Sequence, residues 1–132
     1  MPGFDLSPYR GIFPAGMTFF DRDGNLDSKA TLDHWRWLVD QGVHGLVVAG
    51  TSGEFIALTI EERMQLIRLA VEHFGGRLPI IAGTGHNATK LTVDISREAQ
   101  EIGADAFIVI LPYYSKPPMA SARSAGRTSM VR

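Results

Sequence analysis

The sequence predicts an α/β fold built on a parallel sheet, and three observations carry that prediction. Short, β-branched apolar runs recur along the chain, amphipathic stretches of helical period separate them, and glycines stand where the helices should end. The runs are Gly-Leu-Val-Val-Ala at 45–49, Pro-Ile-Ile-Ala-Gly at 79–83 and Ala-Phe-Ile-Val-Ile-Leu at 106–111. None alternates polar with apolar residues, which suits strands covered on both faces. Gly-Ile-Phe-Pro-Ala at 11–15 is a weaker candidate for a strand ahead of these, because Pro14 has no N–H to donate and should sit near the strand's end.

Between the runs the apolar period becomes helical. Leu32, Trp35, Leu38 and Val39 form one stripe, and Ile60, Met64, Ile67, Val71 and Phe74 form a second. Ala88, Leu91, Ile95, Ala99 and Ile102 form a third. Thr59 followed by Glu62 has the spacing of a capping box, and Asn87 or Thr89 is expected to cap the third helix. Gly42, Gly75-Gly76 and Gly103 are the expected stops. The order is therefore β-α-β-α-β-α-β with a repeat of about 30 residues. Four strands with three crossover helices fit an open doubly wound sheet. They fit equally half of an eight-stranded barrel, whose whole normally needs about 250 residues.

Composition narrows the function classes. The 132 residues carry a net charge of −1, which offers no field for nucleic acid or an anionic membrane. There are no cysteines, which excludes disulfides and thiolate metal sites. The four histidines, His34, His44, His73 and His86, share no short metal-ligand spacing. No apolar run approaches the roughly 20 residues of a membrane span, and residues 1–7 do not read as a signal peptide, so the expected compartment is the cytoplasm. Residues 119–132 hold three Ala, three Ser and three Arg without acid or periodicity, and are expected to be a disordered tail or an artificial end.

Sites in both architectures lie at the carboxyl ends of the strands. Three polar segments stand there: Gly50-Thr51-Ser52-Gly53-Glu54, Gly83-Thr84-Gly85-His86-Asn87, and Pro112-Tyr113-Tyr114-Ser115-Lys116-Pro117-Pro118. The first offers two small hydroxyls between glycines, so backbone N–H groups can approach a carboxylate or phosphate. It is neither a Walker loop nor a dinucleotide fingerprint, and a tight turn explains it equally well. The second reads most simply as a turn with a helix cap. The third can present a phenol to a site or to a neighbouring subunit.

Taken together and in this order, Gly-Thr-Ser-Gly-Glu, Ala-Gly-Thr-Gly-x-Asn-Ala-Thr and Pro-Tyr-Tyr-x-Lys-Pro resemble the dihydrodipicolinate synthase and N-acetylneuraminate lyase family over about residues 9–118. The resemblance implies the first half, about four βα units, of a TIM (β/α)8 barrel, with 1–118 as that half and 119–132 outside it. Family members bind pyruvate, or a 2-keto acid built from it, as a Schiff base on a lysine, with no metal and no organic cofactor, and are commonly homotetramers. Carried over by position, Ser52 holds the keto acid's carboxylate and Thr51 stands in a proton relay. Tyr114 matches the relay tyrosine that members lend to a neighbouring subunit. Glu54 reads as structural, favoured by the dipole at the second helix's N-terminus. The family's Schiff-base lysine and its partner tyrosine fall beyond residue 132, and Lys29, Lys90 and Lys116 do not lie inside a strand. The chain alone is thus expected to be inactive and to expose apolar surface. Two rival readings are a doubly wound domain binding a phosphorylated ligand at 51–53 and a non-enzymatic interaction module.

Overall fold

The computed structural model describes residues 7–113. After a short 3₁₀ turn, Ser7–Tyr9, the elements run α1 (Ser28–Asp40), β1 (Leu46–Val48), α2 (Ile60–Phe74), β2 (Ile80–Gly83), α3 (Thr89–Ile102) and β3 (Ala106–Ile108). The three strands are parallel in the order β1-β2-β3, with Leu46 opposite Ile80 and Ile81 opposite Ala106. All three expected helices are present, and the three apolar runs supply the three strands.

The earliest run does not form a strand. Among the described residues it contributes a single parallel bridge, Ala15 to Val47. Its backbone nonetheless follows β1: His44 donates to Ile12 O at 2.9 Å, Val47 to Pro14 O at 3.0 Å, and Gly16 to Val47 O at 2.9 Å. Pro14 thus accepts toward β1, and lacking an N–H it can donate on neither side.

Helix boundaries follow local chemistry. Asp27 caps α1 by accepting from the Ala30 N–H. The capping box of α2 is complete, Thr59 accepting from Glu62 N–H and the Glu62 carboxylate from Thr59 N–H, which contributes about 1 kcal/mol. Helix α3 is different. Its N-cap is Ala88 with no side-chain cap bond, so neither Asn87 nor Thr89 caps it. The Asn87 carbonyl is taken by the Tyr113 N–H at 2.7 Å, and Thr92 reaches back instead, accepting from His86 N–H and donating to His86 O. Gly103, at φ 109°, ends α3 in the left-handed conformation that glycine tolerates.

The core lies between one face of the sheet and the helices. Leu46, Val48, Ile80 and Ala82 pack against Met64, Ile67, Ala70, Ile95 and Ala99. Trp35 is completely buried, and its indole N–H is satisfied by Met17 O at 3.1 Å. Side chains alternate along strands, so Val47 and Ile81 turn to the opposite face and are only half-buried. Ile108, Val109, Ile110 and Leu111 are exposed. The apolar run at 106–111 therefore outlasts its strand, which ends at Ile108. Among the described residues no helix is long and apolar enough to cross a membrane.

Candidate functional site

All three strands point the same way, so the loops after β1, β2 and β3 gather at one end of the sheet. A cleft of about 300 Å³ opens there, lined by Ala49, Gly50, Thr51, Phe55, Gly83, Gly85 and the backbone run Ile108, Val109, Ile110. A larger groove of about 750 Å³ lies between the outer surfaces of α2 and α3. Arg68 of α2 pairs across it with Glu98 of α3 at 2.7 Å, and the groove stands away from the three strand-end loops. The candidate site is the cleft at the strand ends.

The loop after β1 is a succession of tight turns. Gly53 N–H donates to Gly50 O, Glu54 N–H to Thr51 O, Phe55 N–H to Gly50 O and Ala57 N–H to Glu54 O. Among the described residues two other than glycine adopt positive φ, and they bracket the loop: Ala49 at 52° and Glu54 at 55°. Such conformations cost on the order of 1–3 kcal/mol each and gather where a site needs a particular backbone path. Between them Thr51 and Ser52 are exposed, and among the described residues neither their N–H groups nor their hydroxyls meet a protein acceptor or donor. The loop is anchored from behind by Thr18, whose hydroxyl donates to Gly53 O at 2.8 Å.

The structure brings Thr51 to the cleft wall, whereas Ser52 stands beside it outside the lining. Tyr114, Lys116 and the tail at 119–132 lie outside the described residues. Glu54 does not stand at the head of α2: five residues separate it from Ile60, and its role is to carry a left-handed turn. Lys29 is exposed on α1 and paired with Asp33 at 2.6 Å. Donating a hydrogen bond to the Asp33 carboxylate raises its pKa above the ordinary lysine value, which holds the amine charged and non-nucleophilic. Lys90 is exposed on α3.

The second loop is held differently. Gly83 passes so close to the first loop that an added Cβ would sit 2.0 Å from Ala49 O, which leaves no room for any other residue. Thr84 is fully buried and accepts from the Ser96 hydroxyl at 2.8 Å, and Ser96 sits on α3. His86 Nδ1 accepts from Ala88 N–H.

One participant escaped the reading of the sequence. Arg63 is buried at 3% exposure in the first turn of α2. It donates to Gly85 O at 3.0 Å and to Phe55 O at 3.1 Å, and its guanidinium lies 5.0 Å from the centre of the Phe55 ring. Burial pushes its pKa below the ordinary arginine value, partly opposed by the nearby Tyr113 phenol. A signal was present: Arg63 stands three residues after Ile60 and four before Ile67, a cation on the apolar stripe. Among the described residues no three His, Cys, Asp or Glu side chains gather as metal ligands would.

The class these features define is a βα-repeat scaffold with an open hydroxyl loop at the carboxyl end of its parallel strands. The sequence pattern of the dihydrodipicolinate synthetase family matches residues 8–124, and the chain belongs to that family. The 4-hydroxy-tetrahydrodipicolinate synthase of Rhodospirillum centenum is 45% identical over 109 residues, covering 83% of this chain and 37% of that protein. Among solved structures, a prophage protein of the dihydrodipicolinic acid synthase family from E. coli K12, in complex with pyruvate, superposes with a TM-score of 0.85. It is 38% identical and matches 91% of this chain and 40% of its own. The chloride-inhibited dihydrodipicolinate synthase of Acinetobacter baumannii, also complexed with pyruvate, gives a TM-score of 0.86 at 34% identity, over 90% of this chain and 41% of that one. The chain thus spans about two fifths of the proteins it matches. The architecture is the first part of a TIM barrel, and the open doubly wound sheet is set aside.

Proposed function

We propose that this chain is the part of a pyruvate-dependent, Schiff-base-forming lyase or aldolase that holds the keto acid's carboxylate. One observation carries the reading: Thr51 in the cleft wall and Ser52 beside it present N–H groups and hydroxyls without a partner among the described residues, on a loop held open between two left-handed residues. Backbone N–H groups and hydroxyls on a preorganised turn suit a carboxylate. Ser52 is assigned to that carboxylate and Thr51 to proton relay, with Tyr114 as the relay's further member. The pyruvate carried by the two superposed structures supports this assignment.

The chemistry requires a neutral lysine amine to attack the keto carbon. Loss of water gives a protonated imine, and that imine accepts the electron pair released when a bond at the adjacent carbon breaks. Hydroxyl groups carry the protons among carbinolamine, imine and water. None of the lysines at 29, 90 and 116 is assigned the amine, so the 132-residue chain alone is expected to form no imine.

Borohydride reduction in the presence of pyruvate, read by intact mass, tests the proposal. The 132-residue chain should give no adduct, and the same chain joined to the second half of a homologous barrel should give one adduct per chain. A stoichiometric adduct on the short chain, mapped to any of its lysines, would place the nucleophile in this half and overturn the division of roles.

A further inference from the structure

We infer that Arg63 is the positioning residue that holds the three site loops in mutual register. The inference rests on the carboxylate-holding role proposed for Thr51 and Ser52, and it concerns how that loop is kept in place.

The side chain joins elements distant in sequence. Its two terminal nitrogens donate to Phe55 O, in the loop after β1, and to Gly85 O, in the loop after β2. The third loop enters through Phe55, whose ring meets the Tyr113 ring edge-on at 5.7 Å. Tyr113 is held in turn by its N–H donating to the Asn87 side chain at 2.7 Å. The Phe55 N–H itself closes the Gly50 turn, so a shift at Phe55 is carried directly to Thr51 and Ser52. One guanidinium therefore bears on every loop that lines the cleft.

Energetics argue that this is more than a space-filling role. Arg63 is buried, makes no ion pair with a carboxylate among the described residues, and leaves its Nε without a partner. A buried cation compensated only by carbonyl dipoles is costly, and an apolar side chain on the same stripe avoids that cost. What an apolar residue does not supply is a rigid planar fork that fixes two carbonyls from two loops at once. The lowered pKa that accompanies burial is consistent with this placement.

The test uses the ¹⁵N-labelled 132-residue chain with Arg63→Met and Arg63→Lys, and Met64→Ala as a core comparator. Two quantities are read: hydrogen exchange of the Glu54 and Phe55 amides against those in the middle of α2, and pyruvate-induced shifts of the Thr51 and Ser52 amides. Arg63→Met should speed exchange of the loop amides by about tenfold more than the helix amides, as selective local opening does. It should also weaken pyruvate's effect on Thr51 and Ser52 by about tenfold, corresponding to about 1.4 kcal/mol. Arg63→Lys, keeping the charge without the fork, should recover part of both. Met64→Ala should speed all amides alike and leave the pyruvate response within about twofold.

Uniform exchange in Arg63→Met, indistinguishable from Met64→Ala, would reduce Arg63 to a core residue and overturn the inference. If the parent chain shows no pyruvate response, the carboxylate reading fails, and the exchange comparison still decides the role of Arg63. Should Arg63→Met not fold, Arg63→Lys decides by the same criterion, loop-selective exposure supporting the role and uniform exposure removing it.

Discussion

The loops after β1 and β2 are near copies in composition, Gly-Thr-Ser-Gly-Glu against Gly-Thr-Gly-His-Asn, and the fold uses them in opposite ways. In the second, the polar side chains are spent on the protein: Thr84 on Ser96, His86 on the Ala88 N–H, and Asn87 on the Tyr113 N–H. In the first, Thr51 and Ser52 face solvent and cleft with no protein partner among the described residues. A hydroxyl already satisfied within the fold has little to offer a ligand, whereas an exposed one costs nothing to leave unpaired until a ligand arrives. Composition marks where a site can be. The hydrogen-bond accounting says which loop keeps its hydroxyls available for one.

The comparison can be broken in several ways. Its most sensitive point is Gly83, where the two loops touch. Gly83→Ala places a methyl 2.0 Å from Ala49 O, and should destabilise the chain by about 3 kcal/mol, the upper end for overpacking. Urea unfolding checks this, and a midpoint unchanged from the parent would mean that the two loops are not packed as described. Thr84→Val keeps shape and removes the buried hydroxyl paired with Ser96, which retains Thr92 O at 2.7 Å. The expected loss is about 1–2 kcal/mol, with little effect on pyruvate beyond it.

Asn87→Ala sharpens the contrast at the end of the second loop, since it frees the Tyr113 N–H. A loss of about 1 kcal/mol is expected, with a changed Tyr113 amide shift in the ¹H–¹⁵N spectrum. Thr51→Val is the counterpart of the change at Thr84. Its cost in stability should stay within about 0.5 kcal/mol, as at an exposed position, while the pyruvate response of the neighbouring amides falls by about tenfold. Equal stability costs for Thr51→Val and Thr84→Val would erase the distinction between the loops.

Much of the scaffold was legible in the sequence because it depends on near neighbours. The stripes from Leu32 to Val39, Ile60 to Phe74 and Ala88 to Ile102 became α1, α2 and α3 because helical period and burial coincide there. The Thr59–Glu62 box formed because both partners lie within one turn. Local rules failed where a distant group intervened. Asn87 was read as a helix cap, and the backbone of residue 113 claims its side chain instead. Arg63 drew no reading from the sequence, and its two carbonyl partners come from separate loops. Pro14 was correctly suspect: a residue without an N–H left its run with a single bridge.

By itself, then, the sequence determined the alternation of strand and helix, the positions of most helix ends, and three loop motifs whose joint order resembles one family. These are consequences of period, propensity and capping, which act over a few residues. Whether those loops meet, and which of two similar ones keeps its hydroxyls free, was decided only by the tertiary structure. Parallel register brings residues some thirty positions apart to within van der Waals contact, as where Gly83 lies under Ala49. A side chain's freedom to bind depends on which partners that approach supplies, and no local pattern encodes them.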